Sequence, residues 1–261
     1  MNNIQFGVEL FMELLESIKT RRSVREFTGN RIPDEHIEMI LDAARYAPSP
    51  ENLQMWRYVV IREDQEMKDL IAEVSMETAR QVFGAQPYEL TAGRLWYLPD
   101  HARPTEFENI RDGSLFIYPK HSDTVIIGFG SEFIHDAHLP YAMHLFGSVV
   151  VGMGMLQMWL VAHSLGYGCG WMALAISDYR HKELLCDKLG VPRTWEPIGV
   201  LCVGVPKEKR MLGPSRFPME GVMYAERWGN PYRRLAFRKE GEKKNEHRTN
   251  ARNQTENARD S

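Results

Sequence analysis

The run from Leu145 to Leu165 constrains this chain more than any other segment. It is apolar almost without interruption and long enough to form one helix of several turns. Such a helix has two homes, a bilayer or a protein core. Gln157 and His163 lie inside the run and no basic residues flank it closely, so a buried core helix is expected and no membrane is.

The rest of the chain can supply that core. With 261 residues and 43% apolar content, the length and composition fit one soluble domain. The formal net charge of -3 lacks the basic excess that nucleic acid or an anionic membrane would require. Cys169, Cys186 and Cys202 are odd in number, form no CxxC pair and sit in apolar or helical surroundings, which fits reduced thiols in the cytoplasm. From Met1 to Glu16, acids are interspersed with apolar residues and no basic n-region or cleavage site is visible, so no secretory signal is expected.

Periodicity places the other elements. Leu10, Leu14, Leu15 and Ile18 give an amphipathic helix over Val8 to Thr20, and a second helix starts at Pro33-Asp34-Glu35-His36 with Ile37, Ile40, Leu41 and Ala44 facing inward. Ala47-Pro48-Ser49-Pro50 stops it. Trp56 to Arg62 reads as a short buried strand and Asp64 to Phe83 as a helix. Between Gly84 and Asp123 the pattern dissolves into prolines and scattered aromatics, an excursion over a site. Strands follow at Thr124 to Phe129, Cys169 to Leu174 and Pro197 to Val205, with a helix from Asp178 to Leu189 closed by Gly190. The mixture argues α+β, a sheet wrapped by helices. The segment Arg238 to Ser261 is almost wholly polar and is read as a disordered tail, which leaves 1–237 as a single domain.

Three separated clusters could each hold part of one anionic, planar ligand. In Arg21-Arg22-Ser23-Val24-Arg25 an extended backbone would send alternate side chains to one side, the arrangement a phosphate favours. Pro48-Ser49-Pro50-Glu51-Asn52-Leu53-Gln54-Met55-Trp56 is a proline-stiffened turn carrying amides. In Gly166-Tyr167-Gly168-Cys169-Gly170 the alternate glycines would let backbone approach a ligand. Each also has a plain structural explanation: a solvated charge run, a helix stop, a tight helix-to-strand connection. Pro214-Ser215-Arg216-Phe217-Pro218 adds a further arginine.

Together, in this order, these clusters resemble the FMN-dependent nitroreductase family over most of Leu14 to Trp228, apart from the region from Gly84 to about Leu145. The resemblance implies a mainly antiparallel sheet wrapped by helices, an intertwined homodimer, and FMN sites shared between subunits. It implies that Arg21 and Ser23 grip the phosphate and ribityl chain, with Arg25 at the pyrimidine edge and Arg22 also among the cofactor-binding residues. It places Pro48, Ser49, Pro50 and Asn52 near the ring from the opposite subunit, with Gln54 also among the cofactor-binding residues. Ala173 and Leu174 match positions where backbone meets the central ring, Arg216 matches a late phosphate-binding arginine, and Met223 to Trp228 matches an arm around the partner. NADH or NADPH would supply hydride to the flavin, which would pass two electrons to a small organic acceptor such as a nitroaromatic or quinone. Met55 stands where many members carry proline, and the 84–145 segment is longer than in a minimal member.

Relatives of this fold also carry out reductive dehalogenation, enoyl reduction and oxygen-dependent flavin breakdown, and a non-catalytic flavin-binding module is a further reading. No fixed motif separates NADH from NADPH. Gly152-Met153-Gly154 completes no dinucleotide fingerprint. His135, His138 and His144 could gather on one loop and helix start, but no cysteine or second carboxylate completes a ligand set, so no metal is expected.

Overall fold

Four strands make one antiparallel sheet in the order β1-β2-β4-β3, with β1 Trp56–Ile61, β2 Thr124–Ser131, β3 Gly168–Met172 and β4 Trp195–Gly204. The computed structural model describes residues 13–96, 98–131, 140–208 and 216–232. They fall in two units, 1–213, which holds the sheet, and 214–261.

The central strand β2 is buried along its whole length, as its valine and isoleucine content favours. Two of its glycines admit the long helix α6 (Pro140–Ser164) directly onto the sheet. A Cβ on Gly128 would stand 2.6 Å from Val151 Cγ1, and one on Gly130 would stand 3.0 Å from the backbone of Gly147. The sheet thus has a helix layer on each face. On one, α2 (Asp34–Ala43) and α6 bring Ile37, Ile40, Met155 and Met158 against Ile126, Leu201 and Val203. On the other, α3 (Gln65–Phe83) and, further along, α8 (Tyr179–Leu189) bring Ile71, Val74 and Leu185 against Val125, Ile127 and Val200. The α+β architecture expected from the sequence is present.

Several expectations change. In α1 (Leu14–Thr20) the apolar side is the outer one: Leu14 is 65% and Leu15 61% exposed, while Ser17 is buried. The long helix is a core helix on one side only, with Val150, Val151, Met155, Met158 and Ala162 buried, whereas Val149, Met153 and Leu156 are exposed. Its window Phe146–Ser164 has the length and composition of a membrane span and is 39% buried. The described residues of a single chain do not cover these apolar faces. Strand β1 is an edge strand buried only at its ends, because β2 pairs it on one side.

The proline-rich excursion holds regular pieces: α4 (Tyr88–Ala92) and α5 (Arg103–Arg111), followed by 3₁₀ turns. Tyr88 meets Phe107 edge-on at 5.0 Å, and Phe83 stacks on Phe116 at 6.3 Å, so aromatic pairs supply the core that periodicity did not reveal. Strand β3 ends at Met172, and Leu174 opens the short helix α7 (Leu174–Ser177). The second unit contains α9 (Met219–Val222) and a bridge between Tyr224 and Pro231, with the ring of Tyr224 packed 4.6 Å from that of Trp228. His135, His138 and the side chain of His144 lie outside the described residues. Among the described residues no group of three His, Cys, Asp or Glu could hold a metal ion.

Candidate functional site

The chain leaves α1 at Arg21 with extended dihedrals and runs along the outer edge of β3. Ser23 pairs with Cys169 in a parallel bridge, and the Val24 N–H donates to the Cys169 carbonyl at 2.8 Å. Beyond it, Thr28 donates to the Val205 carbonyl at 2.9 Å, and Phe27 packs against Gly204. The alternation an extended segment imposes is visible. Val24 turns inward against Gly168, and Arg22 folds back to donate to the carbonyls of Lys19 and Arg21 at 2.8 Å each. Arg21, Ser23 and Arg25 alternate with these two along the backbone and are half-buried.

Both flanking arginines have aromatic neighbours. The Arg21 guanidinium lies 4.2 Å from the ring centroid of Trp159 on α6, a cation–π contact. One residue earlier, the Thr20 hydroxyl and His163 Nε2 are 2.9 Å apart, a full turn further along α6. Further along the segment, the positive charge of Arg25 acts on the buried Tyr118 phenol. Burial pushes that phenol far above its ordinary range, and Arg25 opposes the shift.

Two glycines of the third cluster, Gly168 and Gly170, serve the protein itself. A Cβ on Gly168 would stand 2.8 Å from Val24, and one on Gly170 would stand 2.7 Å from both the Tyr118 ring and the Val24 carbonyl. The side-chain space they leave is filled by the first cluster and by Tyr118, which replaces the expectation of backbone left open to a ligand. β3 then delivers Ala173, the N-cap of α7, whose carbonyl accepts from the Ile176 N–H at 2.9 Å and the Ser177 hydroxyl at 2.8 Å. Ala173 and Leu174 therefore sit at the end of the strand that the first cluster borders.

The second cluster lies elsewhere. Its turn leads into β1, at the opposite edge of the sheet from β3, three strand spacings or about 14 Å away. Glu51, Asn52 and Gln54 all have positive φ, at 51°, 57° and 52°. Such conformations cost non-glycine residues on the order of 1–2 kcal/mol each, and they tend to gather where backbone shape serves a ligand. Ser49 Oγ accepts from the Gln54 N–H at 3.0 Å, and Arg57 donates to the carbonyls of Gln54 at 3.2 Å and Trp56 at 2.7 Å while stacking 4.8 Å over Trp195. Pro48, Pro50, Asn52 and Gln54 are exposed. Within one chain, then, the first and third clusters meet and the second does not join them. Arg216 belongs to the second unit.

The donor set suits a phosphorylated, planar ligand: two guanidinium groups and a hydroxyl alternate on one extended segment beside a strand end, with no carboxylate in that segment before Glu26. The nitroreductase family model matches residues 18–205, a span that includes all three clusters. The chain belongs to the nitroreductase family. Over 218 residues this family member is 27% identical to a protein of Archaeoglobus fulgidus assigned as an NADH dehydrogenase/NAD(P)H nitroreductase, covering 83% of this chain and 99% of that one. It is 26% identical over 192 residues to the 5,6-dimethylbenzimidazole synthase of Rhodospirillum rubrum, covering 74% of this chain and 81% of that one. Among solved structures, a Desulfovibrio desulfuricans protein assigned as a nitroreductase, in complex with FMN, matches with a TM-score of 0.58 at 21% identity, covering 83% of this chain and 98% of that one. At that identity the likeness speaks of fold.

Sequence reasoning did not single out Trp159 or Arg57 as neighbours of the site. Both act through contacts between elements remote in sequence, Trp159 with Arg21 and Arg57 with Trp195, and no local pattern marks such pairs. Tyr118 was visible only as one aromatic in the covering segment.

Proposed function

We propose that this chain is an FMN-dependent oxidoreductase of the cytoplasm that takes hydride from NADH or NADPH and reduces a small organic acceptor. The observation that carries the reading is the alignment of Arg21, Ser23 and Arg25 along the edge of β3, beside Ala173 and Leu174. Bound there, the flavin would supply two-electron chemistry that side chains cannot. Arg21 and Ser23 would hold its phosphate and ribityl chain. Arg25 would face the pyrimidine edge and favour the negative charge that reduction places there.

The site would be completed by a second copy of the chain. The turn carrying Pro48, Ser49, Pro50, Asn52 and Gln54 is exposed at the far edge of the sheet, positioned to serve a partner's flavin. The apolar faces of α1 and α6 left uncovered by the described residues support the same arrangement, since residues such as Leu14, Leu15, Met153 and Leu156 would gain burial through association. The 84–145 segment is the candidate determinant of acceptor choice.

A second reading keeps the flavin and changes the chemistry. The match to 5,6-dimethylbenzimidazole synthase extends over 74% of this chain and favours oxygen-dependent flavin breakdown over reductive dehalogenation or enoyl reduction. One experiment separates the two readings: purify the protein, record its visible spectrum, and mix it anaerobically with NADH and with NADPH before adding a quinone, a nitroaromatic or oxygen. The proposed activity requires bleaching by a nicotinamide and recolouring by the organic acceptor. Loss of the flavin itself on admitting oxygen would favour the second reading, and protein that stays colourless after incubation with FMN overturns both.

A further inference from the structure

Arginines are held in different ways in this fold. Arg62, just after β1, gives its donors to carboxylates, Asp123 Oδ2 at 3.1 Å and Asp34 Oδ1 at 2.7 Å. Arg22 turns back on the backbone and donates to the carbonyls of Lys19 and Arg21 at 2.8 Å each. Arg21 is braced by a ring, its guanidinium carbon lying 4.2 Å from the centroid of Trp159. The difference is chemical. A carboxylate or a carbonyl occupies N–H donors, and a carboxylate also neutralises the charge, whereas an aromatic face attracts the cation and does neither.

The backbone around Arg21 is fixed from both sides. Its N–H donates to the Ser17 carbonyl at 2.9 Å and so closes α1, and two residues on Ser23 bridges to Cys169 of β3. Thr20 and His163, 2.9 Å apart, fasten the end of α1 to α6 one turn beyond Trp159. Trp159 is itself half-buried and packs against the core beneath α6, so its ring is a fixed surface.

We propose that Trp159 is a positioning residue for Arg21: its indole holds the guanidinium in place through the ring face, so that N–H donors and undiminished charge meet the phosphate of the flavin. The inference rests on the flavin reading above and adds a residue of α6 to the phosphate site. Without the indole, Arg21 keeps its charge on a long flexible stem. Ordering that stem then opposes phosphate binding. The effect is confined to the phosphate, because Trp159 acts on the ligand through Arg21 alone.

The test uses the full-length protein, stripped of flavin and titrated with FMN and with riboflavin, which lacks the phosphate. Wild type is compared with Trp159→Leu, Trp159→Phe, Arg21→Ala and the double variant Trp159→Leu/Arg21→Ala. Trp159→Leu should weaken FMN binding by about three- to thirtyfold, the worth of a cation–π contact from exposed to desolvated settings, and leave riboflavin within about twofold. Trp159→Phe keeps an aromatic face and should lose less. The double variant should bind FMN as Arg21→Ala does, because a residue acting through Arg21 has nothing left to act on. Trp159→Met, which also lacks a ring, carries the same expectation should the leucine variant fail to fold. Equal losses for FMN and riboflavin in the Trp159 variants, or a loss that adds to that of Arg21→Ala, overturn the positioning role while the flavin reading stands. Wild type that binds neither ligand overturns the flavin reading and this inference with it.

Discussion

The guanidinium of Arg21 lies 4.2 Å over the ring of Trp159, which ties the first residue of the basic cluster to the long helix of the fold. The contact explains how a long, flexible side chain is held at one place before any ligand arrives. A phosphate-gripping arginine can be separated from a structural one by comparing FMN with riboflavin. Arg21→Ala should raise the dissociation constant for FMN by about tenfold to a hundredfold, the loss of a hydrogen bond to a charged group, and leave riboflavin within about threefold. Equal losses for both ligands would mean that Arg21 does not touch the phosphate.

The turn before β1 stores conformational strain that the sequence can relieve. Glu51 is held at a φ of 51° and is exposed, so Glu51→Gly should stabilise the protein by about 1 kcal/mol in urea unfolding. Ser49→Ala removes the acceptor for the Gln54 N–H and should destabilise by about 1 kcal/mol. A neutral or destabilising Glu51→Gly would show that the turn is not strained in solution.

Tyr58 on β1 points its hydroxyl into α6, where Gly154 leaves space and no partner among the described residues meets it. Gly154→Ala places a methyl group on that oxygen and should destabilise by about 1–3 kcal/mol through overpacking. Tyr58→Phe removes an unsatisfied buried hydroxyl and should be neutral or stabilising by up to about 1 kcal/mol. Combined, Tyr58→Phe should recover part of the loss caused by Gly154→Ala, because the clashing atom is gone. Additive effects in urea unfolding would place the two residues apart.

All three cysteines are buried, and desolvation raises the pKa of each thiol, most strongly for Cys169 and Cys202. Folded, these thiols stay neutral where their unfolded counterparts begin to ionise, near 9.0. Their contribution to stability is therefore complete below pH 9 and is lost as pH rises from there through the folded values. Native protein at pH 8 should react slowly with a thiol-specific reagent, with rapid reaction only after denaturation, and urea midpoints should fall above about pH 9. Fast native labelling at pH 8 would contradict the burial of these groups.

Much of the fold was legible because periodicity reports burial. The helices α2, α3 and α8 and the strands β2 and β4 were read close to their observed spans, since each buries a regular face in one chain. The apolar side of α1 was read just as clearly and misplaced, because hydrophobic spacing states that a face wants cover without saying whose. Leu14 and Leu15 face outward. The α4–α5 region escaped because aromatic pairs hold it, and these obey no helical period. At the site, the basic segment and the strained turn were each visible as composition. What the sequence could not display is that Gly168 and Gly170 receive Val24 and Tyr118, or that the turn sits across the sheet from the arginines, since both are facts of pairing order.

The central claim, a flavin site assembled from two copies of the chain, is tested most directly with a mixed dimer. One copy carries Arg21→Ala with Ser23→Ala, the other carries Ser49→Ala with Asn52→Ala, and the heterodimer is isolated through two different affinity tags. Each homodimer should lose FMN on dialysis. If sites are shared, the heterodimer has one site with every substitution and one with none, and it should retain about half the flavin of wild type. A heterodimer that loses its flavin as readily as either homodimer, or a protein that is monomeric with FMN bound, would contradict the shared site.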